Sequence, residues 1–216
     1  MAVSFIRVDD RMIHGQTCTR WALEYPCDGL IAVNNAAAKN PVLKSAYKSA
    51  SGKKTFVWTL DEFKEKCGKV LQSKDNYFLI TKNPVDMAEI LVKQGFKPGI
   101  DTVIIGPCND RPGTTKLGNN QSITQEEAQA LEDIMNAGFE VEFALLKEEA
   151  IGNWKKFRGS LDLTKYPGRQ EFHERIWKQR GERIWKSVGY RQFCWACAHV
   201  WQVCPVWEVH QLVTIR

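Results

Sequence analysis

Apolar positions along the chain gather in short β-rich runs at residues 3–7, 30–33, 55–58, 77–80, 102–105 and 141–146. Segments with helical spacing separate them. This alternation predicts an α/β fold: a doubly wound, mainly parallel sheet with helices on both faces. Helices are expected over residues 17–25, 41–50, 60–71, 84–94 and 125–137. Asn40-Pro41 and Asn83-Pro84 each place a cap residue before a proline suited to the first turn, and Thr124 with Glu127 spells a capping box. Gly68, Gly95 and Gly138 read as stops or turns. Residues 106–122, rich in Gly, Asn and Pro, read as one long structureless loop of the kind that often carries function.

In such a sheet ligands sit beyond the carboxyl ends of the strands, near the point where strand order reverses. The loops bearing His14, then Thr81 and Lys82, then Asn109, Asp110 and Arg111 all leave on that edge and can form one pocket. The richest is the first, Arg7-Val8-Asp9-Asp10-Arg11-Met12-Ile13-His14-Gly15-Gln16. An imidazole that accepts a phosphoryl group needs one free ring nitrogen, a partner for the other, and positive charge for the travelling oxygens. Asp9 or Asp10 can fix the tautomer of His14, and Arg7 and Arg11 can donate forked hydrogen bonds to phosphate. The N–H groups of Gly15, Gln16 and Thr17, at the start of a helix, can face an anion. Lys82 and Arg111 are candidate phosphate-binding residues on the neighbouring loops.

The same decapeptide closely resembles the active-site signature of the IIB subunits of the mannose/fructose/sorbose class of bacterial sugar phosphotransferase systems. The resemblance runs from Met1 to about Trp154, with softer landmarks at Thr81-Lys82-Asn83-Pro84, Asn119-Asn120-Gln121-Ser122 and Gly138-Phe139-Glu140-Val141-Glu142-Phe143. Many members read Gly-Gly-Met-His or similar after the fifth strand. Here Gly106-Pro107-Cys108-Asn109-Asp110-Arg111 stands instead, which leaves the sugar open. The resemblance implies a phosphoryl carrier in which His14 is phosphorylated and Arg11 stabilises the group in flight. The donor would be a phosphohistidine on a IIA protein, expected to be a separate chain because nothing precedes Met1. The acceptor would be a sugar held by membrane IIC/IID subunits. No metal and no cofactor is implied.

Other readings of the fold fit less well. A receiver domain would end its third strand in aspartate and its fifth in lysine, whereas Val57-Trp58-Thr59 and Ile105-Gly106-Pro107 occupy those places. Neither the dinucleotide fingerprint nor the P-loop follows any strand. A non-catalytic regulatory or scaffold module of the same fold is the alternative, and the intact His14 and Arg11 speak against it.

At 216 residues and a formal charge of +5, the chain is short for two full domains, and its charges are interspersed rather than striped, which disfavours nucleic acid. It shows no signal peptide and no long apolar run, so a cytoplasmic location is expected. Cys18, Cys27, Cys67 and Cys108 lack framework spacing and read as buried or half-buried thiols. The expected phosphotransferase domain covers residues 1–158. From 159 to 216 the chain turns Trp-rich and loses aspartate after Asp162, so this tail reads as an aberrant extension of the gene, with a membrane-surface or partner-docking segment as the rival. Within it residues 171–188 have amphipathic spacing, and Cys194, Cys197, His199, Cys204 and His210 are too crowded with aromatics for a convincing zinc site. A homodimer is possible if the tail's aromatics are exposed.

Overall fold

A computed structural model of the chain describes residues 2–161. The tail from 162 onward, with its expected amphipathic helix and cysteine–histidine cluster, lies outside the described residues. Nine strands are described: β1 (Val3–Val8), β2 (Gly29–Val33), β3 (Lys54–Trp58), β4 (Tyr77–Thr81), β5 (Thr102–Ile105), β6 (Thr115–Gly118), β7 (Gln121–Ile123), β8 (Glu140–Ala144) and β9 (Ala150–Asn153). Seven form a sheet in the order β3-β2-β4-β1-β5-β8-β9, parallel except for β9, while β6 and β7 make a separate antiparallel hairpin.

Alternation along each strand sends apolar side chains to two cores, one per sheet face. Ile31, Val33, Leu79, Val103 and Ile105 enter one core, and Leu30, Ala32, Phe78, Ile80 and Ile104 enter the other. The first core is covered by α4 (Leu60–Leu71), α5 (Pro84–Ala88) and α6 (Gln125–Asn136), which contribute Phe63, Met87 and Leu131. The second is covered by the helical segment after β1, with Trp21 and Ala22, and by α2 (Asn35–Lys39) and α3 (Pro41–Ser51), with Ala37 and Tyr47. The connection leaving β1 therefore lies on one face, while those leaving its neighbours β4 and β5 lie on the other. Such a reversal opens a crevice at the carboxyl end of β1.

The expected caps form. Asn40 accepts from the N–H groups of Val42 and Leu43, Asn83 from that of Asp86, and Thr124 with Glu127 closes its box. Other expectations are corrected. The segment after β1 starts α-helical at Gly15, takes π-helical form over Thr17–Trp21 and returns to α as α1 (Ala22–Glu24), and α5 likewise passes into a π-helical Glu89–Lys93. Gly68 lies inside α4 rather than at its end, whereas Gly95 and Gly138 do take positive φ at helix exits. The stretch 106–122 is not structureless, because it contains β6 and the start of β7. The apolar core also runs past residue 158, since Leu161 is buried in it and Arg158 donates to Glu132.

Candidate active site

Asp9 is the hub. Its carboxylate, 0% exposed, lies just beyond the end of β1, where the backbone N–H of Asp9 still donates to the carbonyl of Thr81 on β4. Oδ2 accepts from Arg7 Nε at 3.2 Å and meets His14 Nε2 at 3.1 Å, while Oδ1 accepts from the backbone N–H of Arg11 at 3.1 Å. Burying a carboxylate calls for hydrogen-bond partners, and here Arg7 on β1 and Arg11 and His14 of the following loop supply them. The contact engages Nε2, while Nδ1 makes no hydrogen bond among the described residues; a carboxylate accepts only, so this pairing calls for the tautomer with its proton on Nε2.

Arg7 departs from its expected role as a phosphate donor. It lies on β1 with 1% of its side chain exposed, its guanidinium donates to the carbonyls of Ala144 and Leu145 as well as to Asp9, and it stacks over Trp21 at 4.6 Å. Burial pulls its pKa down, and the charge of Asp9 opposes that pull. Gly106 makes the room: a Cβ there would sit 2.3 Å from Arg7 Nη2. Arg7 thus orients Asp9 from beneath, because β-strand alternation turns it inward beside Phe5 and Trp21.

Arg11 does face outward. Its side chain is 50% exposed, Nη2 donates to Gln16 Oε1 at 3.0 Å, and Nε lies 4.0 Å from Asp9. The next residues explain how the loop is held. Met12 and Ile13 are buried, and Met12 takes a left-handed conformation with φ 58°. That conformation costs a non-glycine residue roughly 1–2 kcal/mol, a cost set against the anchoring that turns Arg11 and His14 to one side. Thr17, fully buried, clasps His14: its hydroxyl accepts from the His14 N–H at 2.9 Å and donates to the His14 carbonyl at 2.7 Å. The His14 carbonyl also accepts from Cys18 N–H, and the chain is helical from Gly15 onward.

The three loops expected to converge do so. Lys82 Nζ donates to the carbonyl of Asp10 at 3.1 Å, and Asn109 donates to Asp10 Oδ2 from both its backbone and its side chain. Asp10 therefore ties loops together and does not touch the imidazole; Asp9 alone of the two orients it. Arg111 is committed elsewhere. It pairs with Glu127, the buried acid of the α6 capping box, and donates to the carbonyl of Asn109. A carboxylate already accepting the Thr124 N–H draws the nearest guanidinium. Cys108, buried beneath this loop, has its thiol pKa pushed up to about 12 by desolvation, so it remains neutral. Among the described residues no group of three or more His, Cys, Asp or Glu could hold a metal.

Residues 3–167 match the family described as PTS system sorbose subfamily IIB component. The chain belongs to that family. Its relatives include the mannose-specific EIIAB component of Escherichia coli strain K12, 28% identical over 144 residues, which are 66% of this chain and 44% of that protein. The chain thus spans less than half the length of that first relative. The sorbose-specific EIIB component of Lacticaseibacillus casei is 24% identical, with 69% of this chain and 90% of that one aligned. Among solved structures, the IIBSor domain of the sorbose permease from Klebsiella pneumoniae has a TM-score of 0.67 at 24% identity, over 74% of this chain and 98% of that one, and so shares the IIB fold.

Against this IIB framework, sequence reasoning missed Met12, Trp21 and the clasp of the Thr17 hydroxyl on the His14 backbone. Thr17 and Trp21 lie three and seven residues after His14, a helical spacing that marks them as inward facing, so a signal existed. Nothing in the sequence marked Met12 for positive φ.

Proposed function

We propose that this IIB chain is a phosphoryl carrier that takes the group onto Nδ1 of His14 from a phosphohistidine on a IIA protein and passes it to a sugar during uptake. The observation that carries the reading is the Asp9–His14 contact of 3.1 Å, which occupies Nε2 and leaves the Nδ1 lone pair free. In the first step Nδ1 attacks phosphorus, the donor's N–P bond breaks, and its electron pair returns to the donor imidazole. His14 then carries a positive charge, which the buried Asp9 carboxylate stabilises. In the second step a sugar hydroxyl, losing its proton to solvent, attacks phosphorus, and the N–P pair returns to Nδ1. The protein's task is to position groups and to meet charge spread over three oxygens. Arg11, held by Gln16, is placed for that, with Gly15 and Gln16 at the helix start beside it and Lys82 on the next loop. Arg7 acts through Asp9. The reaction as written takes place in the cytoplasm, with the sugar presented by membrane IIC/IID subunits; no helix among the described residues is long and apolar enough to cross a membrane.

Phosphate transfer from phosphoenolpyruvate through the general phosphotransferase proteins and a charged IIA tests this. Acid-labile, base-stable label should appear on the wild type and be absent from His14→Ala, with NMR placing it on Nδ1. Arg11→Ala should keep the fold and slow transfer on the order of 10²–10³-fold. Label persisting in His14→Ala would overturn the proposal.

A further inference from the structure

The backbone that presents Arg11 is a reverse turn held from both sides. The Met12 N–H donates to the Asp9 carbonyl at 2.9 Å, which places Asp10 and Arg11 at the two corners of the turn over residues 9–12. At the first corner both peptide groups of Asp10 are pinned to neighbouring loops. Its N–H donates to the Pro107 carbonyl beyond β5 at 3.1 Å, and its carbonyl accepts from Lys82 Nζ beyond β4 at 3.1 Å. The Asp10 carboxylate depends on one residue: Oδ2 accepts from the backbone N–H of Asn109 at 3.3 Å and from the Asn109 side-chain amide, while Oδ1 is buried with no hydrogen-bond partner among the described residues. The second corner is looser, since the half-exposed Arg11 side chain reaches Gln16 only at its tip.

Asn109 is itself fixed by its neighbours in the chain. The Cys108 N–H donates to the Asn120 carbonyl at 2.7 Å, and the Cys108 carbonyl accepts from the Ser122 N–H at 2.9 Å, so the residue before Asn109 is bonded to the β6–β7 hairpin. After it, Asp110 accepts from the Ser122 hydroxyl and Arg111 pairs with Glu127 of α6. The residues on either side therefore turn toward the hairpin and α6, and Asn109 turns toward the His14 loop. It lies in the stretch 106–111, where the chain departs from the Gly-Gly-Met-His of many members.

We infer that Asn109 is a positioning residue for phosphoryl transfer: by clamping the Asp10 carboxylate it fixes the first corner of the turn, and with it the direction in which Arg11 leaves the second. This rests on the carrier reading above. Asn109 acts through Asp10 and needs no contact with the phosphoryl group. The turn calls for such a clamp, because Met12 leaves it in a left-handed conformation, φ 58°, that a non-glycine residue disfavours. A carboxylate stripped of its donors would be drawn toward water and would carry the turn with it. Transfer depends on groups aimed in advance at the charge on the three oxygens, and a displacement of about 1 Å caused outside the reacting atoms can slow a step on the order of 10²-fold.

Phosphoramidate, a small phosphoryl donor that needs no docking partner, reads the transfer step to His14 in the full chain. Asn109→Asp sets two carboxylates against each other and should slow labelling on the order of tenfold or more. Combining it with Asp10→Asn exchanges amide and carboxylate, re-forms the side-chain bond in reverse at the net charge of the wild type, and should recover most of that loss. In an Arg11→Ala background no guanidinium is left to aim, so Asn109→Asp should slow labelling by no more than about twofold further. Circular dichroism and urea unfolding check that each variant folds. An unchanged rate in Asn109→Asp overturns the inference, as does a paired variant no faster than Asn109→Asp alone. A full further loss in the Arg11→Ala background also overturns it, because the loop would then act on His14 or on the fold and not on the aim of Arg11. If phosphoramidate labels the wild type and His14→Ala alike, the carrier reading itself fails, and the clamp loses its reaction with it.

Discussion

Arg7, Arg11 and His14 sit within eight residues of one another, yet the backbone assigns them three environments. Arg7 is inside, held by Asp9, two carbonyls and an indole face; Arg11 is outside; His14 lies between, with 18% of its side chain exposed. Removing one partner of a buried pair leaves the other charge uncompensated. Arg7→Met should therefore destabilise the protein by roughly 3–5 kcal/mol, measured by urea unfolding. Adding Asp9→Asn should recover part of that loss, because the orphaned charge is gone. A double variant no more stable than Arg7→Met would show that packing against Trp21, rather than the ion pair, carries the stability. At this scale the residue types of the site were legible in the sequence, because the chemistry of phosphoryl transfer restricts them. Which arginine faces outward was not, because that depends on where β1 ends.

The elements divide by how local their causes are. Asn40, Asn83 and Thr124 cap helices through bonds spanning two or three residues, so sequence alone placed them. The capping box of α6 has a second use, since Glu127 also holds Arg111 and with it the loop that carries Asn109 to Asp10. Thr124→Ala should cost about 1 kcal/mol by thermal or urea unfolding. Glu127→Ala should cost more, because it leaves Arg111 and the Thr124 N–H without their acceptor; equal costs would show that the loop is held by other contacts. The π-helical turns, the β6–β7 hairpin and β9 were not legible. β9 has only Ile151 as a large apolar residue, and its pairing to β8 spans a turn and a register shift that no local pattern records.

At the scale of the whole molecule, two cores on opposite faces of one sheet account for the described chain, and Leu161 is the last described residue buried in them. A chain ending at residue 165, the limit of the first compact unit, should unfold cooperatively and still accept phosphate; loss of both would show that the Trp-rich tail belongs to the working protein. Ending at 158 instead removes Leu161 from the core and should cost about 2 kcal/mol. The sequence by itself determined the class of fold, the capped helix starts and the candidate histidine of the site, because periodicity, capping and side-chain chemistry act over a few residues. Tertiary structure alone decided that Asp9 and not Asp10 holds the imidazole, that Arg7 is a buried support, and that Arg111 serves α6. Each of those depends on contacts between strands and loops far apart in the chain, where burial and the pairing of charges, rather than local preference, set the outcome.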